Sequence, residues 1–169
     1  FLAVIESGLN LDARSSVNAT GPWQFMAGTG RLFGLRINWW IDERKDIVAS
    51  TWAAANYLKH LHNLFGNWQL ALAGYNSGEY RVAHAISTQK TDDYWKLRLP
   101  SQTRWFVPKF MAALQIGRDP MRYGFELRPV QPIDFDIITI DRSTDLRLIA
   151  KSAGTTLTRI KKVRVSRSS

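Results

Sequence analysis

Residues 42–78 constrain the fold more than any other stretch of this chain. Asp42-Glu43-Arg44-Lys45-Asp46 places acids ahead of a run whose apolar residues recur at helical spacing, with Ala54, Leu58, Leu61 and Phe65 on one face and Gly66 as the stop. Acids at that end suit the positive pole of the helix dipole, so a long helix is expected over 46–65. Ala53, Ala54 and Ala55 leave room for a neighbouring helix to come close. Trp68-Gln69-Leu70-Ala71-Leu72-Ala73 then reads as a short apolar helix, ending in Gly74-Tyr75-Asn76-Ser77-Gly78, expected as an exposed turn that presents an aromatic hydroxyl and an amide between glycines. The expected class is mainly α.

The flanking stretches extend that reading. Residues 1–7 form the last turns of a helix ended near Gly8, and residues 10–20 are a polar loop. Pro22 after Gly21 signals a helix start, with a stop at Gly34. Gly28-Thr29-Gly30-Arg31-Leu32-Phe33-Gly34 resembles a phosphate-binding loop, but its last glycine is one place late and no strand precedes it. Helices are expected over 79–87, 91–97 and 103–118; Pro100 breaks the second, and Pro108 makes the third start late or kink. From Glu126 the pattern changes. Pro129 and Pro132 mark a linker, residues 135–140 read as a strand, 144–153 and 155–162 as helices, and 163–165 as a partner strand. A β-α-α-β unit of that size is too small to be stable alone.

Composition narrows the function classes. The chain has 169 residues, 45% apolar, enough for one core with a small appendage. Lys and Arg outnumber Asp and Glu 23 to 14, for a net charge of +9, which favours anionic partners such as nucleic acid, an acidic membrane surface or an acidic polysaccharide. The excess gathers in the tail, where residues 142–167 hold eight Lys/Arg and one Asp. No helix carries a dense basic stripe, so nucleic acid is not an expected partner. There is no Cys, and no apolar run approaches the roughly 20 residues of a membrane span. His60 and His62 are two apart on their helix and point in different directions, so no metal site is expected. The chain opens inside an apolar segment, and the expectation is a fragment whose upstream helix turns, any export signal and any membrane attachment lie outside these residues.

One acid stands out. Glu6 closes the apolar run Phe1-Leu2-Ala3-Val4-Ile5 and precedes Ser7-Gly8. Apolar surroundings disfavour the carboxylate and raise its pKa, and an acid that keeps its proton to neutral pH can protonate a leaving group. A glutamate in such a place is more often a helix-end or ion-paired residue, so the rest of the chain has to decide.

Six segments decide it. Glu6-Ser7, Gly21-Pro22-Trp23-Gln24-Phe25-Met26, Trp39-Trp40-Ile41-Asp42-Glu43-Arg44, Phe65-Gly66-Asn67-Trp68-Gln69-Leu70-Ala71-Leu72-Ala73, Gly74-Tyr75-Asn76-Ser77-Gly78 and Leu99-Pro100-Ser101-Gln102-Thr103-Arg104 occur in this order. Together they resemble the soluble lytic transglycosylase domain, a relative of goose-type lysozyme, in its membrane-bound murein D-type branch. The resemblance covers residues 1–125, as a lysozyme-like helical domain truncated at its N-terminus, with 126–134 as linker. Residues 135–169 resemble, more loosely, a partial LysM module; the Asn-Pro that usually follows its second helix is absent at Lys162-Val163.

The resemblance implies an enzyme that cleaves the bond between N-acetylmuramic acid and N-acetylglucosamine of peptidoglycan, leaving 1,6-anhydro ends, without cofactor or metal. Glu6 matches its single catalytic acid. Ser7, Ser15, Gln24, Met26, Tyr75 and Asn76 match substrate-binding positions, with Tyr75 and Asn76 facing the acid. It also implies a monomer in the bacterial cell envelope, periplasmic or associated with the outer membrane, with glycan strands as partner. Gln102 stands where the family often has Glu, Phe106 where it often has Tyr, and Pro22 where it usually has Leu. Two other readings stay open: a muramidase of the same fold that uses water, and a catalytically weak module that binds cell-wall glycan.

Overall fold

The computed structural model describes residues 1–127, 140 and 142–162. The chain divides into two compact units, Phe1–Leu127 and Arg128–Ser169. Six helices build the first: α1 (Leu2–Ser7), α2 (Ala27–Leu32), α3 (Ile47–Phe65), α4 (Trp68–Ser77), α5 (Glu79–Gln89) and α6 (Ser101–Arg118). No strand occurs among the described residues; three isolated antiparallel bridges, Arg14 with Thr20, Thr20 with Phe25 and Ile37 with Asp42, tie the loops between α1 and α3.

The caps of α3 and α4 are made by side chains and a glycine close to each helix end. Asp46 accepts from the backbone N–H groups of Val48 and Ala49, both at 2.9 Å, and so satisfies two of the donors that a helix start leaves without partners. Gly66 closes α3 in the left-handed region at φ 64°. Asn67 immediately starts α4, accepting from Gln69 and Leu70.

Helix α4 lies between two apolar clusters. Its Leu70, Leu72 and Ala73 join Leu2 of α1, Val82 and Ala85 of α5, Tyr94, Leu97, Leu99, and Phe106 and Val107 of α6. Its Ala71 joins the other cluster, with Phe25, Leu35 and Ala53, Ala54, Tyr57 and Leu61 of α3. Burying a side chain such as Leu61 is worth about 2–3 kcal/mol, and Leu61 has no exposed surface. Trp23, Phe65 and Tyr75 pack against both clusters and so mark the seam between them.

Four expectations need correction. Helix α4 runs through Gly74 to Ser77, so the expected exposed turn is helical. Gly74 is there for room: an added Cβ would lie 3.1 Å from side-chain carbons of both Leu61 and Phe65. Pro22 starts no helix. Residues 21–25 form a tight turn with Gln24 at φ 49°, and α2 begins only at Ala27. Residues 91–97 form a turn around Asp93 and not a helix.

The fourth concerns Pro108. Helix α6 starts at Ser101 and passes through Pro108 unbroken. Proline lacks the N–H that would bond the carbonyl four residues back. That carbonyl belongs to Arg104, and the hydroxyl of buried Tyr94 lies 3.0 Å from it and 3.0 Å from the carbonyl of Thr103. The turn at 91–97 thus supplies the bond that Pro108 cannot.

Helix α1 buries Leu2 and Ala3. It packs on α6. The Phe1 ring fills the space beside Gly117, where an added Cβ would come within 1.8 Å of it.

In the second unit, α7 (Leu146–Ser152) and α8 (Leu157–Lys162) pack together. Asp145 caps α7 by accepting from the Arg147 N–H at 2.8 Å, and Ala150 is buried. These correspond to the two expected helices. The strand expected over 135–140, apart from Ile140, and that over 163–165 lie outside the described residues.

Candidate active site

Glu6 stands one residue before the end of α1 and is partly buried. Burial alone pushes its carboxyl up from an ordinary 4.5 to about 7. Among the described residues nothing hydrogen-bonds to that carboxyl and no cation pairs with it. The bland alternative, an ion-paired glutamate at a helix end, is therefore not what the structure has. No second acid raises its pKa either.

The group that faces Glu6 electrostatically is Tyr75. Burial holds the Tyr75 phenol well above its ordinary pKa, and the charges of Glu6 and Tyr57 add to that. Sequence places Tyr75 69 residues downstream of Glu6; what brings them together is the turn at residues 21–25. The Ser7 hydroxyl is 2.9 Å from the carbonyl oxygen of Pro22, and the Tyr75 hydroxyl donates to that of Trp23, also at 2.9 Å. Consecutive carbonyls of one turn are thus held from α1 on one side and α4 on the other. Each bond satisfies a polar group that would otherwise cost about 1–3 kcal/mol to bury.

The turn is itself braced. Gln24 donates its side-chain N–H groups to the carbonyls of Gly21, at 2.8 Å, and Ala13, at 3.3 Å. Thr20 and Phe25 exchange backbone bonds of 3.0 and 3.2 Å. Gly21 sits at φ 83°, and a Cβ there would meet the carbonyl oxygen of Arg44 at 1.8 Å. Arg44, almost fully buried, donates to the carbonyls of Asn18 and Phe25 at 3.1 Å each and pairs with Asp42 at 2.7 Å. A buried guanidinium needs such partners to offset its lost hydration.

The remaining expected site residues fall around this frame. Asn76 follows Tyr75 on α4, and its Oδ1 accepts from the hydroxyl of buried Thr103 on α6 at 3.1 Å. Ser15 lies in the loop joined by the Arg14–Thr20 bridge, its Oγ accepting from the Ala19 N–H at 3.0 Å. Met26, about half exposed, precedes α2 at its N-cap. Neither Ser15 nor Met26 bonds to Glu6, Tyr75 or Asn76. Glu6, Ser7, Gln24 and Tyr75 are gathered around one turn, Asn76 adjoins Tyr75, and Ser15 and Met26 flank the turn along the chain.

Sequence reading missed three contributors. Thr103 sits in Leu99-Pro100-Ser101-Gln102-Thr103-Arg104, where Gln102 drew attention instead. Arg44 was read as part of a charged cap. Tyr57 carries no local sign of its place; its hydroxyl donates to Glu79 at 2.8 Å and its ring centroid lies 5.3 Å from that of Tyr75. Among the described residues no group of His, Cys, Asp or Glu could hold a metal ion.

The family model described as "Transglycosylase SLT domain" matches residues 1–98. The chain is 44% identical over 131 residues to "Membrane-bound lytic murein transglycosylase D" of Escherichia coli strain K12, an alignment that covers 75% of this chain and 29% of that protein. The protein of that name in Escherichia coli O6:H1 matches equally. A "Putative tributyltin chloride resistance protein" of Alteromonas sp. strain M-1 is 41% identical over 90 residues, 53% of this chain and 44% of the relative. The chain thus spans less than a third of the length of the two Escherichia coli relatives. With the helical architecture around Glu6 and Tyr75, and the family model covering more than half of the chain, this chain belongs to the transglycosylase SLT domain family.

Proposed function

We propose that the chain is the catalytic part of a peptidoglycan lytic transglycosylase, with Glu6 as its single acid and base. The observation that carries this reading is the Glu6 carboxyl, raised to about 7 by burial and free of any hydrogen bond or ion pair among the described residues. Such a group is protonated in about half of the molecules near neutral pH and becomes a carboxylate once it has given its proton away.

Glu6 donates its proton to the glycosidic oxygen between N-acetylmuramic acid and N-acetylglucosamine, and the C1–O bond breaks. The acetamido oxygen of the same muramyl residue bonds to C1 from the opposite face. The Glu6 carboxylate then takes the proton of the 6-hydroxyl, whose oxygen attacks C1 and displaces the acetamide. A 1,6-anhydro ring forms, no water is consumed, and Glu6 ends protonated. Glycosidases ordinarily use two carboxylates; that no second acid perturbs Glu6 favours this route over hydrolysis by a muramidase. Tyr75 and Asn76 contribute polar atoms beside the acid: the Tyr75 oxygen keeps acceptor capacity, and the Asn76 amide N–H groups are left after Oδ1 has taken the Thr103 bond. Ser15 retains a hydroxyl proton to give. Ser7 and Gln24 act through the turn they hold, and Met26 offers an exposed apolar contact.

The identity to a membrane-bound murein transglycosylase supports peptidoglycan strands as substrate and an envelope location; we further take the enzyme as a monomer that is periplasmic or associated with the outer membrane. No described helix is long and apolar enough to cross a membrane. We take residues 1–125 as the catalytic domain, 126–134 as linker and 135–169 as a partial LysM-like module, a reading that rests on the sequence resemblance and on the α7–α8 pair. Such a module would hold the enzyme on its insoluble substrate and raise its local concentration.

Digestion of purified sacculi tests the reading. The wild-type chain releases fragments one water lighter than hydrolysis products, and Glu6→Gln releases none above background. Full release by Glu6→Gln rejects Glu6 as the acid, and products that have gained water reject the lyase route.

A further inference from the structure

On the opposite face of α6 from Thr103 lies an open groove of about 280 Å³ lined by Trp95, Arg104, Trp105 and Pro108. Thr103, Phe106 and Val107 turn inward, while Arg104 and Trp105 face solvent. Trp95 and Trp105 are 59% and 63% exposed; Trp39, Trp40 and Trp52 are more exposed still, and what sets this pair apart is that a cation, Arg104, lines the same groove. Both walls are held in position. Trp95 packs edge-on against buried Tyr94, centroids 5.0 Å apart, and its backbone N–H donates to the Asp93 carboxylate at 3.0 Å. The Tyr94 hydroxyl in turn holds the start of α6 that carries Arg104 and Trp105. The Arg104 guanidinium has no ion pair or hydrogen bond among the described residues. Lys96, Arg98 and Lys109 are its basic neighbours in sequence, against Asp92 and Asp93, of which Asp93 pairs with Lys96 at 3.0 Å.

We infer that this groove is a second, non-catalytic site for an acidic muropeptide, with sugar rings against Trp95 and Trp105 and a stem-peptide carboxylate on Arg104. The C–H face of a sugar is apolar and matches an indole face. A guanidinium presents two parallel N–H groups to a carboxylate. The free Arg104 cation, with no acidic side chain among the groove's lining residues, favours the peptide-bearing polymer over a neutral glycan. The inference rests on the function proposed above and adds to it an anchoring point away from Glu6.

The test is co-sedimentation of the 169-residue chain with purified sacculi, in a Glu6→Gln background to suppress digestion. Trp105→Ala raises the half-saturating sacculus concentration about tenfold and Arg104→Gln about fivefold, as expected for contacts of 1 kcal/mol or somewhat more. Melting midpoints within about 2 °C of the parent show that the fold is kept. On N-acetylglucosamine oligomers, which lack the carboxylate, Arg104→Gln binds as its parent does while Trp105→Ala is weakened. Unchanged sacculus binding by both variants overturns the inference. So does an equal loss on both ligands for Arg104→Gln, or a dimer in sedimentation that Trp105→Ala dissolves, which would assign the face to a second copy. Wild-type chain that sediments with sacculi without digesting them rejects the proposed reaction and leaves the groove standing; digestion with unaffected variants does the reverse.

Discussion

Replacing Glu6 with glutamine removes the ionisable group and keeps the shape, and the effect on stability can be worked from the structure. The folded chain holds this carboxyl near 7 against an ordinary 4.5. Below 4.5 it is protonated in both folded and unfolded chains. Between 4.5 and 7 the unfolded chain releases the proton and the folded chain does not, so wild-type stability falls with rising pH; above 7 the loss is complete. At about 1.4 kcal/mol per pH unit, the full loss is about 3 kcal/mol. Glutamine carries no such dependence. The stability difference, Glu6→Gln minus wild type, therefore grows by about 3 kcal/mol from pH 4 to pH 8, or roughly 6–12 °C in melting midpoint for a chain of this size. Urea unfolding followed by tryptophan fluorescence across that range measures it, and every other titrating group cancels in the difference. A flat difference would refute the assignment of a buried, unpaired acid. A difference of opposite sign would mean that a partner holds the carboxylate ionised.

Turnover on sacculi should fall about tenfold per pH unit above pH 7, as the protonated fraction of Glu6 does; a rate still level at pH 9 would exclude Glu6 as the proton donor. Tyr75→Phe removes the bond to the Trp23 carbonyl and should cost about 1–3 kcal/mol, with turnover reduced further than the lost stability explains; retained turnover would take Tyr75 out of the site. Gly21→Ala forces a Cβ onto the Arg44 carbonyl at φ 83° and should destabilise by at least about 2–3 kcal/mol, read as loss of the urea midpoint. Leu61→Ala opens a cavity between α3 and α4 and should cost about 2–5 kcal/mol at unchanged half-saturation for sacculi, since Leu61 is remote from solvent.

What sequence revealed depended on whether the cause was local. Asp46 and Gly66 announce the two ends of α3 because capping is decided within a few residues. Glu6 could be singled out from five apolar neighbours, since burial of an acid at the end of such a run is also a local matter. Pro22 misled for the opposite reason. The turn it enters is fixed by Ser7, Ala13, Tyr75 and Arg44, which lie 9 to 53 positions away. Gly74 was read as a turn glycine when its lack of a side chain serves packing against Leu61 and Phe65. Pro108 warns of a late helix start, but α6 begins at Ser101, and the Arg104 carbonyl that the proline leaves without its N–H lies 3.0 Å from the hydroxyl of Tyr94, fourteen residues upstream of Pro108. The frame of the site is made of such distant bonds, and the six segments identified it only because their joint occurrence stands in for contacts that no single segment encodes.

The notch at Gly117 carries a last consequence. Leu2 is buried in the core that α6 shares, the Ser7 hydroxyl is tied to the Pro22 carbonyl, and the Phe1 ring sits beside Gly117 of α6, so the helix that carries Glu6 is held from both sides of the acid. A side chain added at Gly117 would press on the Phe1 ring, and so on the helix of the acid, without touching a polar atom. Proton delivery thus leans on an apolar fit as well as on a hydroxyl.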